Sequence, residues 1–277
     1  MDSNWALVVL TLALVCITAW YAYCNHKYVR LLEKERKRRV IGEIARGVFS
    51  PMLSSLSMSK KYLKDGSFVI LRPSKVRVDL YPPSYHLQRA VVIFGDQGGT
   101  SGAYCSAYCS AEYLLSLPDK ILDKHISKIR QLSQEFDEYR NKLEDLLKEI
   151  APLIPSEFKD FCKKLVEEYR KSGRSIEFGR EDDYYMLLSY IIGGVKSLPN
   201  GHVWREFWEK YRSKLRSWID QYSTLKEKIN HLEKTKEELL KLINDLEKEI
   251  DSMFMEWKRE YGLTEIEMRL YPRYEVI

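Results

Sequence analysis

The 277-residue chain is 45% hydrophobic and 31% charged, enough apolar matter for one or two modest domains, which excludes a globally disordered chain. The net charge is +5, and residues 27–46 alone hold eight basic and three acidic side chains, a difference that accounts for all of it. Charge gathered in one short collar excludes the basic face that a nucleic-acid binder spreads over a whole domain.

Before the collar lies WALVVLTLALVCITAWYAY, residues 5–23, nineteen residues without a charge. At about 1.5 Å per residue this run matches a hydrocarbon layer of about 30 Å. Trp5 marks one end, and Trp20, Tyr21 and Tyr23 mark the other, where an aromatic belt belongs. A cleaved signal peptide would carry its positive charge before the apolar run and a small-residue site after it, and this run has neither. The expectation is a transmembrane helix over 5–25 with residues 1–4 outside. A basic juxtamembrane helix over 26–48 follows on the cytoplasmic side. Lys34, Arg36, Lys37, Arg38 and Arg39 are the candidate membrane-surface residues. Cys16 and Cys24 belong to the anchor, and Cys105, Cys109 and Cys162 then lie in a reducing compartment without a disulfide framework.

Ser50-Pro51 is expected to end the juxtamembrane helix. Residues 49–117 read as a small α+β unit. The runs 68–72, 75–81 and 89–94 are β-branched or aromatic and separated by prolines, as in an antiparallel unit. Val76, Val78 and Leu80 alternate with Lys75, Arg77 and Asp79, which gives the middle run one solvated face. The third run meets GDQGGTSG, residues 95–102, and residues 103–117 then read as a helix with Cys105 and Cys109 on one face. Asp96, Gly98, Gly99 and Thr100 after an apolar strand resemble the D-x-G-G-T phosphate motif of the sugar-kinase and actin-like ATPase superfamily. That resemblance implies an Asp96 that helps organise Mg²⁺ and a Gly-Gly-Thr turn that receives phosphates. It spans about nine residues, a helix follows where that superfamily has a second strand, and no length remains for a second phosphate loop. The reading preferred from the residues is a turn whose glycines let the chain leave a strand and pack closely. Cys105 and Cys109 lack nearby ligands for zinc, with only Cys162, His86 and His125 as distant additions.

From residue 118 the pattern is helical. Leu122, His125, Ile129, Leu132, Phe136, Tyr139, Leu143, Leu146 and Ile150 alternate by three and four, giving a coiled-coil helix over 118–151. Prolines 152 and 155 stop it, and two short helices around 156–171 and 181–192 make a tip over 152–203. The same alternation then runs through sixteen positions from Trp204 to Trp257, of which only Lys236 is not apolar, predicting one long coiled-coil helix over 204–261. Residues 262–277 read as a tail or edge strand.

In the second half of that helix, Leu225, Leu232, Leu239 and Leu246 alternate with Ile229, Ile243 and Ile250, the arrangement of a two-stranded zipper with Lys236 as its polar register residue. These eight are the candidate oligomerisation residues, and Lys228 would attract Glu233 of a second copy. Leu240 and Leu242 instead widen the face as a three- or four-helix bundle would. One arrangement serves both halves. The 122–150 helix pairs antiparallel with 204–232, and the remaining zipper seeks another chain.

The fold class expected is therefore mainly α, with a transmembrane helix, a small antiparallel β-unit and a long coiled-coil or helical-hairpin stalk. The function expected is that of a single-pass membrane tether, scaffold or assembly component without catalytic activity, cofactor or metal. Its partners would be the bilayer, a second copy and an unassigned protein, and not nucleic acid. The alternative is a membrane-bound phosphate- or nucleotide-binding protein using residues 95–102. Five Gln and six Asn among so many charges make the composition similar to that of hyperthermophile proteins, which suits an archaeon or a virus that infects one.

Overall fold

The computed structural model describes residues 3–72, 75–88, 90–91, 108–109 and 119–268. The chain is mainly helical, with a small two-stranded antiparallel sheet and a long N-terminal helix. Helix α1 (Ser3–Ile44) passes through a π-helical turn (Ala45–Phe49) straight into α2 (Ser50–Asp65). The expected stop at Ser50-Pro51 does not occur. Pro51 lies in the first turn of α2, and the π turn ahead of it carries a Ser50 N–H bond to the Ala45 carbonyl, five residues back. A wide turn of this kind absorbs the donor that proline lacks and the space its ring demands.

The body is organised by two long helices, α4 (Lys120–Ile150) and α8 (Ser223–Tyr261). Ion pairs Lys124–Glu256 (2.5 Å), Lys128–Glu249 (2.8 Å) and Lys228–Glu149 (2.5 Å) run in opposite chain directions and fix an antiparallel hairpin. Helix α2 lies antiparallel to α8 as a third member, marked by Phe49 against Trp257 and by Lys60–Glu247 at 2.6 Å. Leu240 and Leu242 widen the apolar face of α8, as a helix packed in such a bundle requires; Leu242 is buried and Leu240 is packed against the core.

This pairing differs from the expected one in two respects. The helix over 204–261 is broken: α7 (Arg205–Ile219) ends, Tyr222 is extended at φ −95°, ψ 98°, and α8 begins at Ser223. Helix α4 then pairs along α8 from Lys228 to Glu256, overlapping the expected 204–232 only at its end. Leu225, Ile229, Leu232, Leu239, Ile243, Leu246 and Ile250 are each at most 1% exposed inside a single chain. Lys228, assigned by pattern to Glu233 of another copy, meets Glu149 instead, and Glu233 holds Lys236 at 3.2 Å.

The tip consists of α5 (Phe158–Lys171), α6 (Glu181–Gly193) and α7. The aromatic first half of the heptad series finds its use there. Tyr211 packs edge-on to Tyr169 and, tilted, against Phe207, while Trp218 stacks on Phe161 at 5.3 Å. Rings of this size fill a short multi-helix junction better than a narrow two-helix seam.

Strands β1 (Val69–Arg72) and β2 (Lys75–Val78) form an antiparallel hairpin with Val69 opposite Val78 and Leu71 opposite Val76. Leu71 donates its N–H to Ser189 Oγ on α6 at 3.0 Å, so the hairpin joins the tip to the bundle. The expected alternation holds, with Val78 and Leu80 buried and Lys75 and Arg77 exposed. Helix α3 (Pro83–Gln88) follows. Strand β3 (Ala90–Val91) pairs with β4 (Tyr108–Cys109). Cys109 is thus in an extended segment and not on the helix expected over 103–117. Helix α9 (Glu265–Met268) ends the described chain, and the edge strand expected at the C terminus lies outside the described residues apart from Met268.

Two glycines set how closely α6 meets the end of α2. A Cβ on Gly193 would stand 2.0 Å from the Gly66 carbonyl oxygen, and Gly66 has φ +75°. Gly193→Ala must therefore push the backbones apart, and an expected loss of about 3 kcal/mol or more should appear in denaturant unfolding. At the other end of the bundle, Asp119 caps α4 by accepting from Leu122 N at 2.7 Å, from Trp257 Nε1 at 3.2 Å and from the Tyr261 hydroxyl. Asp119→Ala removes the cap and strands two ring donors, for an expected loss of about 2–4 kcal/mol. Asp119→Asn, which keeps an acceptor, should recover at least half of that in the same unfolding experiment.

Candidate functional site

The feature that sets this chain apart from a plain helical bundle is the free part of α1. Residues 5–37 are exposed without interruption, and burial begins only around Arg38 and Ile41. Leu10 is 70% exposed and Trp20 69%, so nothing in the folded body covers the apolar run. The helix that carries it, Trp5–Asp65, has the length and apolarity to cross a membrane. Thr11 and Thr18, the polar side chains of the run, return their hydroxyls to the carbonyls of Leu7 and Leu14 at 2.8 Å and so present no unpaired donor.

The exposed apolar surface extends further than the uncharged run. Tyr28, Val29, Leu31 and Leu32 are all at least 50% exposed and interleave with Lys27 and Arg30. Aromatic and aliphatic bodies between long basic side chains suit the headgroup layer, where the stems lie in the apolar part and the charges reach water. Reading the sequence by its uncharged stretch alone misses this; the signal is the apolar fraction of residues 28–32 despite the one charge, Arg30.

Of the five candidate membrane-surface residues, Lys34, Arg36, Lys37 and Arg39 are exposed. Arg38 has another task. Its Nη2 donates to both carboxylate oxygens of Glu267 of α9 at 3.0 and 3.2 Å, with Glu35 at 3.9 Å from Nη1. The Thr264 backbone and hydroxyl and the Arg38 guanidinium hold Glu267 down at about 2. The collar is therefore divided between exposed cations and one that ties α1 to α9.

Next to that junction α4 and α8 are tied by a polar clamp. His125 is buried, with Nδ1 2.6 Å from Glu249 and Nε2 3.3 Å from Glu256. Burial pushes Glu249 up, but hydrogen bonds from Lys128 and His125 outweigh it and leave the carboxyl below its ordinary range. Glu256 is lowered chiefly by Lys124 and then by His125.

The other candidates do not converge. His86 meets Ser55 at 2.7 Å, and Cys162 is buried in α5 with its thiol pushed up to about 12, which leaves it protonated and inert. Among the described residues no group of three or more His, Cys, Asp or Glu is placed to hold a metal. Asp96, Gly98, Gly99, Thr100 and Cys105 lie outside the described residues. The eight candidate oligomerisation residues lie along one face of α8, with Lys236 over the Phe68 ring at 5.7 Å and the other seven in the bundle core.

The depressed carboxylates set an acid limit. Their folded values lie below their unfolded ones, so their contribution is complete above the ordinary glutamate range and is lost as pH falls through the folded values. Unfolding midpoints should hold from neutral pH to about 5 and then decline toward about 2. Glu249→Gln should be less stable than the parent at pH 7 and show a shallower acid decline, read by denaturant titration at each pH.

Comparison with family models, curated proteins and solved structures finds no match to this chain.

Proposed function

We propose that the chain is a single-pass membrane protein whose helical body is held at the cytoplasmic face as a tether, scaffold or assembly component, with no reaction of its own. The observation that carries the reading is the uncovered apolar helix of residues 5–23, continuous in backbone with a packed body and separated from it by a basic collar. Covering that surface with lipid removes from water some nineteen side chains that the body leaves exposed. The collar supports the orientation, since Lys and Arg near a span favour the cytoplasmic side and the flank before it holds no Lys or Arg.

The partners proposed are the bilayer and a protein not yet assigned. A second copy that engaged the 225–250 series would have to take the place of α4, so a homodimer by that route is an exchange of helices between chains.

Two arginines in the span decide the anchor. Leu10→Arg with Leu14→Arg should cost roughly 6 kcal/mol of insertion on the translocon scale and release the protein from alkaline-washed membranes. Retention of the double variant would sink the anchor. In inside-out vesicles protease should remove the body and leave a protected fragment containing residues 5–23; protection of the body would reverse the orientation. For the intact chain in density-matched detergent, a sedimentation mass of one chain at every concentration removes the homodimer.

A further inference from the structure

One surface lies outside both the anchor and the helix seam. A groove of about 490 Å³ opens between the end of α6 and one face of α7. Lys196 stands on one wall, and Arg212, Arg216, Ser213, Ser217 and Trp208 stand on the other. Among the described residues no carboxylate lines it. Asp220 stands 3.6 Å from Arg216 Nε, and Glu233, beside Gly194, is held by Lys236 at 3.2 Å, so cations remain in excess of acids around the groove.

Part of this arrangement has a structural purpose. Arg212 donates to the Lys196 carbonyl, and Arg216 donates to the Ile191 carbonyl at 3.4 Å, satisfying acceptors at the end of α6. Those bonds use one N–H of each guanidinium, and Asp220 faces Nε of Arg216; the remaining N–H groups of each fork are held in a fixed orientation. They do not account for Lys196, which has no carboxylate partner among the described residues, or for the two serines. Nor do they account for Trp208: it is 2% exposed, and its indole N–H has no hydrogen-bond partner among the described residues. A buried donor without a partner is costly, and such groups in folded proteins call for an explanation.

We infer that this groove binds the phosphate group of a soluble ligand. Donors on two elements, a charge excess suited to a dianion and two hydroxyls form the chemistry that receives a phosphate, and held guanidinium forks recognise its oxygens pairwise. The position argues against a lipid headgroup. Gly194 on the groove lies beside Glu233 of α8, whereas Trp257 of the same helix packs on Phe49 at the anchor end. The intervening rise is about 35 Å. The phosphate site itself stands apart from the tether reading and uses none of residues 95–102, whereas the choice of a soluble ligand over a lipid rests on that reading.

The test is titration of pyrophosphate against the full chain in nanodiscs of zwitterionic lipid, at constant ionic strength, read by calorimetry and thermal unfolding. Saturable binding is expected, and Lys196→Gln and Ser213→Asp should each weaken it about tenfold or more, the loss of one charge-assisted contact. Lys196→Gln removes no side-chain bond seen in the fold, so its unfolding midpoint without ligand should match the parent's. Absence of saturable binding, or unchanged affinity in both variants, overturns the assignment. Loss of binding on Asp96→Ala with retention in Lys196→Gln moves the phosphate to the glycine loop and also overturns it. A response to anionic vesicles with none to pyrophosphate overturns the soluble ligand.

Discussion

The structure depends on one long apolar stripe that has to be covered. Along α8 the three-four alternation runs from Leu225 to Trp257 with a single polar member. Each fully buried Leu or Ile on it is worth about 1.5–3 kcal/mol relative to exposure. A stripe of this length cannot remain in water, and the chain supplies two covers of its own, α4 and α2. Once α4 lies antiparallel, its first residue must meet the far end of α8, and that is where Asp119 binds Trp257 and Tyr261. Once α2 lies on the other side, Phe49 reaches Trp257, and α1 is aimed away from the bundle. The direction of α1 is thus a consequence of how the stripe is closed.

Much of this was legible in the sequence because it is periodic. All nine positions of the first series and all sixteen of the second are buried or half-buried. What periodicity does not encode is the identity of the cover. A zipper pattern with Ile and Leu in alternation states that a helix will be met, and a helix of the same chain meets it as well as a second copy. The break at Tyr222 was hidden because the alternation passes through it undisturbed; the turn keeps Trp218 and Tyr222 rings 5.0 Å apart, so the apolar spacing survives while the helix does not. Pro51 misled in the opposite sense, since its effect was cancelled by a π turn that leaves no mark of its own in composition. At the candidate site the uncharged run was plain, whereas the groove between α6 and α7 joins Lys196 to residues twelve to twenty-one positions later and no local pattern announces it.

The continuity from α1 to α2 has a mechanical consequence. A helix that crosses from the exposed run into the bundle without a flexible joint transmits its orientation to the body. The lock at the crossing is ionic and backbone-borne together: Arg38 on α1 donates to Glu267, and Glu267 also accepts from Thr264 N at 2.7 Å. Leu263 and Met268, on either side of that acid, are buried. The direction of the exposed part of α1 is thereby tied to that of the whole hairpin.

The same geometry explains why the net charge of the protein is concentrated where it is. Outside residues 27–46 basic and acidic side chains balance, and in the body several are paired between helices, such as Lys60–Glu247 and Lys124–Glu256. The collar is not balanced in this way: among the described residues no neighbouring helix covers residues 27–37 or supplies acids to them. The first position of α1 that does meet a neighbour, Arg38, is the one paired across elements, to Glu267. The change from exposed to paired charge on α1 therefore marks where the helix enters the protein body.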